Sequence, residues 1–409
     1  MDLGMMNRRR LMVSAGASAL LLGLAGRGVW AQASDVFRIG ALNPVTGAGS
    51  PYGTGMQKAI LFAAQEVNAA GGAGGRKLEV VSEDSQTQPD AAVLAAKKLI
   101  EVNKVQAILG TWASGVSLAV LPITDAAGIP LMHCSGAPAL STERKGDLAW
   151  RFQATNTRFG KAFAEIAKKR GYKRAATMAF NNASGIGNTK GFADAWAAAG
   201  NKVVAEVVYE PKRPSYRSEL QQILAAKPDV IVTGSYLPDT TIILKEWFQS
   251  GQKADWIIPG WAANSQLVDA LGAEVTEGII SVDSVANETA PSYAAFAKRY
   301  KEATGQEADS NIYAAMTYDM TIVLALAMEA AGPGATVAQI NSKIREVANP
   351  PGTAVGSFAE GKEKLKAGKI NYEGASSRLD FDEFGDVNPD FLVSIIKGGK
   401  LTRDSVVSI

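Results

Sequence analysis

One histidine and one cysteine occur in 409 residues. Those two scarcities remove several chemistries together. A zinc site draws on several His or Cys ligands, and the lone Cys134 has no intrachain partner for a disulfide. His133 and Cys134 are neighbours in a stretch that reads as a strand, so their side chains leave on opposite faces and cannot form a nucleophile–base dyad directly. A core or pocket-edge histidine is the plainer reading of His133. No G-x-S-x-G elbow and no G-x-x-x-x-G-K-[ST] loop occurs. Carboxylates are plentiful, but sequence alone brings no particular pair to the spacing of a glycosidase. The chain is therefore not expected to be an enzyme, and no metal or cofactor is expected.

An excess of one charge is lacking too. Lys and Arg number 42 against 40 Asp and Glu, with no long cationic run, so nucleic acid is not an expected partner. The cations that do cluster lie at the start. Arg8-Arg9-Arg10 precedes a leucine-rich stretch to Leu24, and Ala31-Gln32-Ala33 offers small residues for cleavage after Ala33, the pattern of a cleavable export signal over residues 1–33. Consecutive arginines before Leu11-Met12 resemble a twin-arginine signal, with the general secretory route as the alternative. Cleavage would take away four arginines and one aspartate and move the formal charge from +2 to −1. No further apolar run of membrane length is read, so the processed chain is expected in the periplasm and not spanning the membrane.

The remaining ~375 residues exceed one comfortable core, which predicts two domains. Apolar runs alternate with helical spacing throughout. Strands are predicted over 36–42, 78–81, 105–109 and 129–132, with helices between them, including one over 117–127. The alternation restarts with strands over 175–180, 203–209, 230–233, 256–258 and 279–282. Helical patterns follow over 293–303, 313–331 and 337–347. The fold class is α/β, with two doubly wound parallel-sheet lobes. Gly185-Ile186-Gly187-Asn188-Thr189-Lys190-Gly191 mimics a dinucleotide fingerprint, but its last glycine is one residue late; a flexible ligand-facing loop is the expectation.

In open α/β sheets, ligands sit beyond the carboxyl ends of the strands. Four such ends carry unusual residues: Asn43 to Gly47 with Tyr52, Thr111-Trp112-Ala113-Ser114, Ser135-Gly136-Ala137, and Ser235-Tyr236. In GTWASGVSLAV, residues 110–120, Gly110 lets the chain turn and Ser114 offers a hydroxyl. The N–H groups of the next helix supply the positive end of its dipole, which suits a carboxylate. Trp112 would wall the pocket; an ordinary helix cap with Trp112 in the core is the alternative.

The motifs IGALNPVTGAGSPYGTGMQKAILFAAQEVNAAGG, VVSEDSQTQPDAAVLAAKKLI, VQAILGTWASGVSLAVLPITDAAGIPLM and KPDVIVTGSY, in that order, resemble type I periplasmic binding proteins of the leucine/isoleucine/valine-binding class. The resemblance implies a monomeric solute-binding component of an ABC importer, working with an inner-membrane permease. It also implies three crossovers between two lobes that close on the ligand: 34–153 plus 284–376, and 154–283 plus 377–409. Carried over by position, Ser114 would receive the ligand carboxylate beside Trp112 and Ala113. Ser135-Gly136-Ala137 would give backbone contacts, Tyr52 would stand at the pocket mouth, and Ser184, Ile186 and Tyr236 would come from the second lobe. Trp261 falls where amino-acid binders often place the glutamate that pairs with the ligand ammonium; Glu83 or Asp84 would be a substitute. A branched-chain or related amino acid is the family default. Alternatives are an aromatic carboxylate, an amide or urea-like solute, or a role as a ligand-sensing co-receptor.

Overall fold

The computed structural model describes residues 36–409. The export segment read over residues 1–33 lies outside the described residues. Strands β1 (Val36–Asn43), β2 (Lys77–Asp84), β3 (Ala107–Thr111), β4 (Leu131–His133) and β5 (Ala149–Arg151) form one parallel sheet in the order β2-β1-β3-β4-β5. β1 sets the register, with Val36 opposite Lys77 and Ile39 opposite Ala107. Six of its eight residues are fully buried in sequence order apart from Arg38 and the edge residue Val36, as a strand covered on both faces requires.

Strands β6 (Ala175–Phe180), β7 (Val203–Tyr209), β8 (Val230–Gly234), β9 (Asp255–Pro259) and β10 (Ile280–Ser284) run parallel in a second sheet. The short pair β11 (Thr353–Val355) and β12 (Ile370–Tyr372) stands apart. The chain then returns as β13 (Phe391–Lys397) and β14 (Lys400–Val407), giving the order β14-β13-β10-β9-β8-β6-β7. These last two strands are antiparallel, so the second sheet is mixed where an all-parallel one is predicted. Gly398 and Gly399, with φ of 54° and 75°, make the tight two-residue turn between them. Chain passes between the sheets follow β5, follow β10, and precede β13.

The helix Ile312–Ala331 corrects one expectation. Its length and mean hydropathy of 1.3 match a membrane span, yet 83% of its apolar stretch is buried inside the protein. It is a core helix, tied to the helix Ser50–Ala69 by Thr317 Oγ1 donating to the Met56 carbonyl at 3.0 Å and Asn311 Nδ2 donating to the Tyr52 carbonyl at 3.0 Å. A helix apolar all round belongs in a core of this kind.

The glycine-rich 185–191 run is a second correction. It is the opening of the helix Ala183–Ala198, with Asn182 Oδ1 accepting from the Gly185 N–H at 2.7 Å. A Cβ on Gly185 would stand 2.4 Å from the Phe180 carbonyl oxygen, and one on Gly191 would stand 2.8 Å from the Thr157 carbonyl oxygen. The glycines thus serve close packing, not loop flexibility.

Candidate functional site

Gly110 sits where β3 slips register against β4, between Leu109 and Thr111. Its φ is 102°, and a Cβ there would be 2.2 Å from Asn43 Oδ1. Only glycine suits both demands. The chain then leaves the sheet through Trp112, and Ala113, extended at φ −74° and ψ 132°, starts the helix Ser114–Ala127. That helix begins three residues earlier than the spacing predicts. Ala113 brings no side chain to its cap, so the first-turn N–H groups face outward with the positive end of the dipole. Ser114 Oγ accepts from the Ala137 N–H at 3.2 Å and keeps its own proton to donate.

Ser114 faces a cavity of ≈ 10 Å³ together with Trp112, Gly136, Ser184, Tyr236 and Trp261, and with Gln153, Asn156 and Tyr313. The structure therefore gathers residues from the carboxyl ends of both sheets. The last three were not anticipated. Gln153 and Asn156 follow β5, a three-residue strand too short to read. Asn156 Nδ2 donates to Ser184 Oγ at 3.2 Å and Asn188 Oδ1 at 2.8 Å, while Asn156 Oδ1 is buried without a partner. Ring contacts close the space. Trp112 lies 5.2 Å from Tyr236, 5.7 Å from Tyr52 and 5.8 Å from Tyr313, centroid to centroid.

The Ser135-Gly136-Ala137 turn is largely committed to the protein itself. The Ser135 N–H donates to His133 Nδ1, Gly136 O accepts from the Asn156 N–H, and the Ala137 N–H goes to Ser114. The fully buried Arg151 donates to the carbonyls of Ser135 and, at 3.0 Å, Ala137. Its other edge pairs with Asp386 Oδ1 at 2.8 Å. Only the Gly136 N–H is left for a ligand, so the expectation of contacts from the whole turn narrows to that group. Ser135 Oγ donates to the Trp112 carbonyl at 2.9 Å and so braces the loop. Arg151 is thus a positioning residue that holds the turn against Ser114. His133 is buried, and burial with the nearby Arg151 charge holds its pKa well below the usual value. It is a neutral core histidine. Burial pushes the Cys134 thiol well above its usual range.

Other anticipated residues are placed differently. Ile186 lies on the outer side of its helix, 40% exposed, and does not line the cavity. Helical periodicity turns it outward while Ser184 turns in. Tyr52 stands behind Trp112, its hydroxyl accepting from Asn264 Nδ2 at 2.7 Å. Trp261 spends its indole N–H on the Ser235 carbonyl at 3.0 Å and packs on Phe159 at 5.1 Å, so it is a wall. Neither substitute carboxylate reaches the cavity: Glu83 pairs with Lys98 at 2.6 Å, and Asp84 accepts from Thr46 Oγ1 at 2.6 Å. Among the described residues, no carboxylate lines this space. A larger hollow of ≈ 560 Å³, along residues 285–287, 377–380 and 387–390, shares no residue with it.

A model of periplasmic binding proteins matches residues 36–363. The chain belongs to the periplasmic binding protein family. It is 25% identical over 374 residues to the leucine-, isoleucine-, valine-, threonine- and alanine-binding protein of Pseudomonas aeruginosa, covering 91% of this chain and 93% of that one. The leucine-binding protein LivK of Thermotoga maritima superposes with a TM-score of 0.78 at 25% identity, covering 91% and 99% of the two chains. An R. palustris solute-binding protein solved with benzoate has the same fold, with a TM-score of 0.72 at 21% identity and 91% and 96% coverage. The fold is thus that of type I periplasmic binding proteins, in the leucine/isoleucine/valine-binding class. The family is one of solute-binding proteins working with ABC transporters, not of enzymes.

Proposed function

We propose that this chain is the extracytoplasmic solute-binding component of an ABC importer, and that it takes a small carboxylate between two lobes that close on it. The observation that carries the reading is the convergence on one aromatic-walled space of Ser114 Oγ, the uncapped start of the helix Ser114–Ala127, and the Gly136 N–H. These are donors, and all are neutral, which suits an anion's oxygens. The lobes are residues 34–153 with 284–376, and 154–283 with 377–409; the monomer is exported with cleavage after Ala33 and delivers its solute to an inner-membrane permease.

The names of its relatives support an amino acid as the solute. A specific feature favours an aromatic carboxylate beside it: Trp112, Tyr236, Trp261 and Tyr313 enclose the space, and no carboxylate there pairs with an α-ammonium. A cavity of ≈ 10 Å³ holds about one water, so solute entry separates Trp112 from Tyr236. A thermal-shift screen of amino acids, aromatic acids, amides and urea tests the function. Stabilisation by at least one carboxylate, lost in Ser114→Ala, is expected; stabilisation by none of the carboxylates would sink it.

A further inference from the structure

The loop between β2 and the helix Pro89–Lys97 carries strain at two residues that both have side chains. Gln86 and Thr87 stand next to each other at φ of 52° and 56°. The left-handed region is uncommon for any residue but glycine, and most costly for a β-branched one. Such a conformation persists only where its surroundings over-determine it. Here the loop after β1 does so. Asp84 Oδ1 accepts from the Gln86 N–H at 2.8 Å and from the Thr46 N–H at 3.2 Å, and Oδ2 accepts from Thr46 Oγ1 at 2.6 Å. Thr87 Oγ1 donates to the Thr46 carbonyl at 3.0 Å and accepts from the Gly49 N–H at 3.0 Å. The two loops also fit closely: a Cβ on Gly47 would stand 2.2 Å from the Gln86 carbonyl oxygen.

What this junction holds is the wall of the solute space. Gly49 precedes the helix Ser50–Ala69 and brings no side chain to its cap. A Cβ on Gly49 would be 2.8 Å from Trp112 Cε3 and 2.8 Å from Pro44 Cβ, so the Gly49 backbone lies directly against the indole. Tyr52, in the first turn of that helix, meets the same indole at 5.7 Å between centroids. At the other end of the strained loop, Pro89 Cγ would lie 3.6 Å from a Cβ on Gly115, in the first turn of the helix that Ser114 opens. Neither Asp84 nor Thr87 lines the cavity itself. Glycine or asparagine would make this turn at less cost; a threonine there adds a hydroxyl aimed at Gly49. We propose that Thr87, held in its left-handed conformation with the help of Asp84, is a positioning residue that fixes Trp112 through Gly49 and so sets solute affinity from outside the solute space. The effect on affinity rests on the function proposed above; the effect on Trp112 does not.

The test compares Thr87→Val, which keeps the β-branched shape and drops the hydroxyl, with Thr87→Ser, which keeps the hydroxyl, in the full processed chain. Trp112 is read without solute, as the difference in tryptophan emission between each protein and its Trp112→Phe counterpart. Thr87→Val should shift that difference spectrum and raise its quenching by acrylamide, while Thr87→Ser should match the parent. Benzoate and leucine are then titrated by calorimetry. For whichever binds the parent, Thr87→Val should weaken binding about two- to ten-fold, the worth of an ordinary hydrogen bond, and Thr87→Ser should restore it. In a Trp112→Ala background the same Thr87→Val change should cost no affinity, because residues that act through one another are not additive. Asp84→Asn should move the emission and the affinity in the same direction, which keeps the test alive if Thr87→Val folds poorly. A lower melting temperature with Trp112 emission unchanged in both variants makes the junction structural only and overturns the proposal. An affinity loss that persists undiminished without Trp112 overturns it too. A parent that binds neither probe counts against the carboxylate function alone, and the emission then decides the positioning role.

Discussion

Ser114 is useful because of what its neighbours do not do. Ala113 offers the helix no cap, and Ala137 takes only one lone pair of the hydroxyl. Ser114→Ala is therefore expected to weaken a carboxylate solute by about ten- to a hundred-fold, from about 1.5–3 kcal/mol for a hydrogen bond to a charged group. Chemical denaturation of the unliganded variant should match the parent closely. Arg151 predicts the reverse pattern. Arg151→Ala leaves Asp386 and two loop carbonyls without their donor in a buried place, so about 3–5 kcal/mol of stability should be lost in urea melts. Retention of parental stability would mean the Ser135–Ala137 turn is held by other contacts. These two residues also differ in how far the sequence discloses them. Ser114 follows a strand end, a glycine and a tryptophan within five positions, so its setting is local. Arg151 sits in an ordinary-looking Ala149–Arg151 strand, and its partner Asp386 is 235 positions away; only the fold brings them together. Gln153 and Asn156 are hidden for the same reason.

At the scale of elements, long periodic segments read well and short or edge ones do not. β6 and β7 have the predicted ends. β5, at three residues, and the exposed β14 carry too little apolar pattern. The helix Asn156–Lys169 did carry a signal, with Phe159, Phe163 and Ile166 at helical spacing behind the Thr155 cap. Gly110 shows how an element end makes the site. Gly110→Ala forces a left-handed φ on alanine and sets a methyl against Asn43. Strain of about 1–3 kcal/mol should appear as lower stability. Solute affinity should fall with it, because relaxation moves Trp112 and Ser114 together. A variant that loses stability alone would show that the strand end and the cradle are uncoupled. Leu324→Ala in the buried helix is the control, with about 2–5 kcal/mol lost by cavity formation and solute affinity kept.

Across the whole molecule, buried carboxyls at the chain passes set a pH dependence. Asp283 and Asp319 are raised to about 7 and about 6 by burial. A folded value above the unfolded one means that their contribution is full below pH ~4 and is lost as pH rises through 6 to 7. His133, held low, works the other way, its contribution present above pH ~6.5 and lost as pH falls. The groups around Asp283 are Tyr52, Tyr313, Glu288 and Asp309, with Arg403 beyond them. Asp283→Asn cancels the Asp283 share alone. The unliganded variant should therefore gain melting temperature over the parent as pH rises from 4 to 8; a constant difference across that range would remove Asp283 as the source.

In the proposed two-lobe reading, closure would act on contacts between the strand-end loops of the two sheets. Asn264 bonds Tyr52, and Tyr236 packs on Trp112 at 5.2 Å. A hydrogen bond nets about 0.5–1.5 kcal/mol and an aromatic pair adds a similar amount, so these contacts alone bias closure only weakly. A solute that touches both sides adds its differential affinity to the closed form, the sole way a ligand shifts such an equilibrium. Small-angle scattering should then give a larger radius of gyration for the free protein than for the same protein with saturating solute. Tyr236→Ala removes one cross-sheet contact and should expand the free form further while weakening the solute. At 100 times its dissociation constant the solute adds about 2.7 kcal/mol, or a melting shift of about 3–4 °C for a chain of this length. Scattering curves that coincide with and without a stabilising solute would mean that the lobes are already locked, and that Trp112 and Tyr236 part by side-chain rotation instead of hinge motion.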